Sequence, residues 1–317
     1  MKRATLLYNP RAGSNRAKRL EAVERAKRVL VDAGVAAECV ATQSADSAGA
    51  QARDAIQRGS DTVLACGGDG TLHDTLQGVV GTDAAVGVIP LGTANALAND
   101  LRIPAHPERA ARTILQYKPR WLPAGTISYA RREGEPATRY FTVMAGVGPD
   151  AAMVYELSAK WKNSLGLLSY LVKSAQLFLS HHFATFEVEY DDLITGMRHT
   201  TQTISVMAVR ITDFGNVLRK LAPGAALENA DLRIVILTKH PRINFLLHLT
   251  SALVGYRPGL PGIKFASASE VRCHVLDGHR EEQTIRAEAD GEHLGRLPVT
   301  IGIRQRAFRL LMPPDRA

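Results

Sequence analysis

Residues 67–71 read GGDGT and stand between an apolar run, TVLAC (62–66), and a helical pattern, TLHDTLQGVV (71–80). Three glycines surround one acid. Glycines strip a turn of Cβ atoms, so backbone N–H groups can approach phosphate oxygens, and a following helix N-terminus adds partial positive charge. Two further loops have the same character: NPRAGSNR (9–16) and PLGTAN (90–95). Asn9, Thr71 and Thr93 can add hydrogen bonds. No GxxxxGK[ST] occurs, so this is not a Walker loop and no P-loop lysine exists; Arg11 and Arg16 can supply part of that charge. Two roles remain open for Asp69. It caps a helix beginning at Thr71, or it holds Mg²⁺ beside nucleotide phosphates, which a bare carboxylate would repel.

The elements that must position these loops alternate. ATLLYN (4–9) reads as a buried strand. Residues 15–34 read as a helix with Leu20, Val23, Ala26, the Lys27 stem and Leu30 on one stripe, stopping at Gly34. A weaker helix over 46–59, a fully apolar strand at 62–68, the 71–80 helix, a strand at 85–92 and a helix at 106–117 follow. This βαβα order predicts a doubly wound, mostly parallel sheet whose carboxyl-end loops gather on one edge.

The grammar changes near 122–136. Short alternating runs at 139–147, 184–192, 200–209, 231–239, 270–276, 282–292 and 298–303 predict a second, antiparallel β-sandwich-like domain, interrupted by helices at about 149–182 and 242–255. The expected division is 1–122, completed by 304–317, and 123–303, with the cleft between domains as the default ligand site. The chain of 317 residues carries a net charge of +8 with only 6% aromatics. No basic block alternates with aromatics, so nucleic acid is disfavoured, while anionic lipid or a phosphorylated ligand suits the charge. No signal peptide or spanning segment is legible, so a cytoplasmic location is expected. Cys39, Cys66 and Cys273 are distant from one another and read as buried free thiols.

CGGDGTLHDTLQGV, NPRAG and PLGTANALANDL, followed in order by GVGPDA (146–151), LAPGAALENADLRIVIL (221–237) and ADGEHLGRLPVTIGI (289–303), resemble the diacylglycerol kinase catalytic domain family of bacterial lipid kinases and sphingosine kinases. The resemblance implies an ATP-binding α/β domain, a β-rich lipid-substrate domain and a last segment, AFRLLMP (307–313), returning to the first. It implies that Asn9, Pro10, Arg11, Ala12, Gly13, Arg16, Thr42, Gly67, Gly68, Asp69, Gly70, Thr71, Thr93 and Asn95 bind ATP, and that Asp69 holds Mg²⁺. Glu292 matches the proton acceptor; in sphingosine kinases the acid matching Asp69 has that role. Several bacterial members hold a structural Mg²⁺ through an acid and two carbonyls. Here the acid position falls on Asn229 and the carbonyls on Ala226 and Asp231, so that site departs from the pattern.

The implied activity is phosphoryl transfer from ATP to a lipid hydroxyl, at the inner face of the membrane. Residues 158–183 combine Leu165, Leu168, Leu171, Val172, Ala175 and Leu179 with Lys160, Lys162 and Lys173, which suits either a packed helix or acyl-chain entry at an anionic interface. Adjacent His181 and His182 share no helix face and receive no site. The rivals are a soluble-substrate kinase of the NAD kinase type and a catalytically retired nucleotide- or lipid-binding regulator.

Overall fold

The computed structural model describes residues 1–10, 16–44, 46–131, 134–148, 184–212, 222–238, 261–276 and 285–314. The helices expected at 149–182 and 242–255, with His181 and His182, lie outside these residues, as do Arg11, Ala12 and Gly13. The chain divides into two compact units, Met1–Ala124 with Gln305–Ala317, and Gly125–Arg304.

The first unit runs β1 (Arg3–Tyr8), α1 (Arg16–Asp32), β2 (Ala36–Ala41), α2 (Ser47–Gln57), β3 (Thr62–Gly67), α3 (Asp69–Val79), β4 (Ala85–Pro90), α4 (Ala96–Asp100) and α5 (Pro107–Leu115). Its strands are parallel, in the order β4-β3-β1-β2. β3 and β4 are buried along their whole length, as strands covered on both faces must be. Helix α1 packs on α5, and α2 on α3.

Two details differ from expectation. On α1, Val23, Ala26 and Leu30 are fully buried and Ala22 joins them, whereas Leu20 is exposed. At 100° per residue, Leu20 sits roughly 100° from the centre of that stripe. Strand β2 and helix α4 were not foreseen. β2 is a half-buried strand without an apolar run, and α4 is five residues long.

The second unit is antiparallel throughout. It contains β6 (Pro136–Phe141), β7 (Met144–Val147), β8 (Phe186–Asp191), β9 (Arg198–Thr203), β10 (Ser205–Val209), β11 (Leu232–Leu237), β12 (Ile263–Ala268), β13 (Glu270–His274) and β14 (Arg286–Ala289). β5 (Lys118–Ala130) enters this unit and β15 (Glu292–Met312) leaves it. Phe141, Phe186, Val188, Val206, Ile234, Val271 and Ile301 lie in its core.

Three expected strands are drawn differently. The 139–147 run splits because the amides of Thr142 and Val143 donate to the Asp290 carboxylate. The 200–209 run splits at Ile204, where the Thr203 hydroxyl donates to the carbonyls of Ser205 and Leu237. Conversely, 298–303 and 307–313 form one strand, β15. Arg306 adopts positive φ within it, so the chain bends without ending. The far end of β15 pairs parallel with β4, Arg309 beside Ala85 and Leu310 beside Val86.

Candidate functional site

The parallel register of the first unit decides which loops meet. Tyr8 lies beside Ala41 and Cys66, and Gly67 beside Pro90, so four strands end on one edge. Single backbone bonds extend the ladder past the strand ends. The Thr42 amide donates to the Tyr8 carbonyl at 2.8 Å, and Leu91 donates to Gly67 at 2.9 Å. Asn9 and Pro10, Thr42, residues 67–71 and residues 91–95 therefore share this edge. Asn9, Pro10, Gly68, Gly70, Thr71 and Gly92 are half-buried there; Thr93 is exposed and Thr42 buried. Arg16 opens α1.

Much of the glycine content is explained by packing between the loops. A Cβ on Gly92 would lie 2.4 Å from the Gly68 Cα, so the two turns touch backbone to backbone. A Cβ on Gly67 would meet the Thr71 hydroxyl and side chain. These glycines let one loop seat on another. Access for a ligand is not needed to account for them.

Asp69 does not cap a helix beginning at Thr71. Helix α3 begins at Asp69, two residues earlier, with Gly68 as its N-cap and no side-chain cap bond. Asp69 is 7% exposed. Its Oδ1 accepts the backbone N–H of Ala96, the first residue of α4, at 2.7 Å. The acid thus ties the GGDGT turn to the PLGTAN loop, and it sits in the first turn of α3, where the helix dipole favours negative charge. Asn95, expected to contact the nucleotide, turns inward. It is buried with φ 49°, its Oδ1 accepts the Gly92 amide at 3.0 Å, and its Nδ2 donates to the Gly92 carbonyl at 2.9 Å. An amide side chain is well suited to this left-handed position, and here it closes the loop on itself.

Sequence reasoning passed over Arg19. From α1 its Nη2 donates to the Leu91 carbonyl at 3.4 Å, which brings a guanidinium to the same loop. Burial lowers the Arg19 pKa below the usual arginine range. Its helical spacing from Arg16 was the available signal.

In the second unit, Glu292 is exposed at the start of β15, opposite Ala289 across a two-residue turn. Asp290 and Gly291 both have positive φ, 49° and 86°, as a tight hairpin turn demands. The turn is not a solvated one. Asp290 is 2% exposed. Its Oδ1 accepts the amides of Val143 and Met144 at 2.9 and 3.1 Å, and its Oδ2 accepts the amide and hydroxyl of Thr142 at 3.0 and 3.4 Å. The Asp290 amide donates back to the Met144 carbonyl at 2.9 Å. Glu292 therefore projects from a turn riveted to the 142–144 segment. Asp290 and the neighbouring buried Glu288 were not foreseen, because nothing in ADGE separates a buried acid from an exposed one.

Among the described residues, no group of three or more His, Cys, Asp or Glu side chains is placed to hold a metal. No described helix is long and apolar enough to cross a membrane.

Comparison with known proteins places these features in a family. Residues 3–127 match the diacylglycerol kinase catalytic domain, and residues 142–312 match the YegS C-terminal NAD kinase beta sandwich-like domain. A diacylglycerol kinase of Bacillus subtilis (strain 168) is 30% identical over 321 residues, spanning 100% of this chain and 98% of its own. One from Staphylococcus epidermidis is 25% identical over 316 residues, spanning 99% and 93%. The crystal structure of a diacylglycerol kinase from Bacillus anthracis str. Sterne matches with a TM-score of 0.72 at 18% identity, covering 100% of this chain and 99% of that one, a likeness of fold. The GGDGT edge and the β unit that carries Glu292 are the two halves of one architecture, and the chain belongs to the diacylglycerol kinase catalytic domain family.

Proposed function

We propose that this lipid kinase transfers the γ-phosphate of ATP to the free hydroxyl of diacylglycerol or a closely related lipid. The observation that carries the reading is the junction of the GGDGT turn and the PLGTAN loop, held by Asp69, within a chain similar over its whole length to diacylglycerol kinases. Phosphoryl transfer asks a protein mainly for alignment and charge neutralisation. Asn9, Thr42, Gly68, Gly70, Thr71 and Thr93 offer small polar or bare backbone surfaces on one sheet edge, suited to phosphates. Arg11, Arg16 and Arg19 supply positive charge, and Asn95 acts through the shape of the loop.

The donor chemistry at Asp69 fits a hard cation. Mg²⁺ accompanying the triphosphate would be held by this carboxylate together with phosphate and water oxygens, neutralising charge as it develops. Glu292 accepts the proton of the lipid hydroxyl, a contribution typically worth ~10²- to 10⁴-fold. Its fixed turn keeps that carboxylate in place. The net charge of +8 favours approach to an anionic bilayer, so we place the working enzyme peripherally on the inner face of the membrane.

The deciding assay supplies labelled ATP, Mg²⁺ and a lipid panel, then separates organic-phase from aqueous product. Label in the organic phase is expected. Labelled NADP formed when NAD is supplied in place of lipid would indicate the NAD kinase type, and ATP binding without turnover would indicate a retired regulator. Asp69→Asn keeps an oxygen for the Ala96 amide, so the fold should persist while lipid phosphorylation is nearly lost; near-normal turnover removes Asp69 from the chemistry. Glu292→Gln should lower kcat far more than it changes the KM for ATP. Binding to vesicles should rise with acidic lipid and fall with salt.

A further inference from the structure

Among the described residues of the second unit, the largest fully buried side chain is a cation. Arg210 is 1% exposed. Its backbone amide donates to the Val143 carbonyl at 2.9 Å, immediately after β10. Its guanidinium reaches the 222–231 segment and meets three main-chain carbonyls. Nη2 donates to Leu227 at 2.5 Å, and Nη1 donates to Asn229 and Asp231 in longer contacts of 3.3 and 3.4 Å. Burial pushes its pKa down to about 10, against the opposing charges of Asp231, Glu228 and Asp290, so the group is still a cation at neutral pH.

This is the segment where the family pattern calls for a structural Mg²⁺, and the residues present do not fit one. The acid position carries neutral Asn229, whose Nδ2 donates to the Gly224 carbonyl at 2.6 Å. The Ala226 carbonyl accepts the Asn229 amide at 3.2 Å, and the Asp231 carbonyl accepts Arg210. Mg²⁺ demands near-octahedral oxygen donors, usually including carboxylate, and a guanidinium already bonded to the Asp231 carbonyl would repel it. Arginine's planar fork of five donors, by contrast, can engage several carbonyls at once.

We infer that Arg210 is the built-in cation of this loop: its guanidinium gathers the Leu227, Asn229 and Asp231 carbonyls, and the 222–231 segment holds its shape without a divalent metal. An acid-and-metal pair has been exchanged for an amide-and-arginine pair. The loop then needs no metal supply.

Thermal unfolding of the full chain, free of nucleotide and lipid, tests this independently of any phosphoryl transfer. The Tm in EDTA should equal the Tm in Mg²⁺. A fall in EDTA that Mg²⁺ reverses, and that persists in Asp69→Asn, overturns the inference. Arg210→Ala leaves buried carbonyls without donors and should lower Tm by about 5–10 °C, with no recovery in Mg²⁺; an unchanged Tm also overturns it. Arg210→Lys, which keeps the charge but loses the fork, should fall between the two. Adding Asn229→Asp to Arg210→Ala should create a protein whose Tm rises with Mg²⁺.

Discussion

Asp290 is the place where a single substitution tests the construction of the site most sharply. Its carboxylate accepts three backbone amides and one hydroxyl from residues 142–144, all buried. Hydrogen bonds to a charged acceptor contribute about 1.5–3 kcal/mol each, and an orphaned buried donor costs about 1–3 kcal/mol. Asp290→Ala would orphan three amides at a backbone of φ 49°, a left-handed position that alanine adopts less readily than aspartate. Some relaxation and entry of water will offset these sums, so about 4 kcal/mol is expected, near the upper end for one residue. Asp290→Asn separates the contributions. Asparagine tolerates the left-handed backbone and keeps one oxygen for Val143 and Met144, but it turns a donor toward Thr142, for a loss of about 2 kcal/mol. Urea unfolding with a shared m-value reads both numbers. At a temperature where Asp290→Asn is fully folded, kcat should fall while the KM for ATP holds, because Glu292 is two residues away and the loops proposed to hold the nucleotide belong to the other unit. An Asp290→Ala protein within about 1 kcal/mol of the parent would refute the claim that this turn is anchored by its acid.

Gly92→Ala should raise the KM for ATP at least about tenfold while leaving the second unit's stability alone, since a Cβ cannot fit against Gly68 without moving the loop; an unchanged KM would show that the junction does not shape the site. The thiols should be inert in the folded protein. Burial, with Glu24 nearby, pushes Cys39 up to about 12, and burial raises Cys66 and Cys273 as well, so DTNB at neutral pH should label them only after unfolding. Acid should weaken the fold through Asp192. Burial works to raise its pKa, but the amides of Ile194 and Ser267 and the Thr195 hydroxyl outweigh it and hold the group below its ordinary 3.8. The stabilisation is therefore present above pH 3.8 and is lost as pH drops through the lower folded value, and Asp192→Asn should flatten that part of the stability–pH curve.

Much of the first unit was legible because its signals are local. A short, nearly continuous apolar run such as TVLACG, closed by glycines, reads as a strand covered on both faces, and each glycine turn marks where it ends. Weak elements escaped. β2 has no apolar run, and β12, KFASA with its flanks, is built largely from small residues whose burial depends on β11 beside it. The strand breaks at 142–143 and 204 were invisible because their causes are a carboxylate 148 residues away and a threonine hydroxyl redirected to Leu237.

For the site, the motifs named the loops, and the fold assigned their work. GGDGT and PLGTAN point to phosphate binding through their residue types, and with ADGE they carry the resemblance to a family, since residue types and order suffice to state what donors and acids a chain possesses. Which atoms those groups face is a matter of register and long-range packing. Only the folded chain turns Asn95 onto Gly92, sets Asp69 against the Ala96 amide, buries Asp290 while exposing Glu292 two residues on, and brings Arg210 to carbonyls about twenty positions away. A hydrogen bond depends on geometry within a few tenths of an ångström, and no spacing along a sequence carries that information.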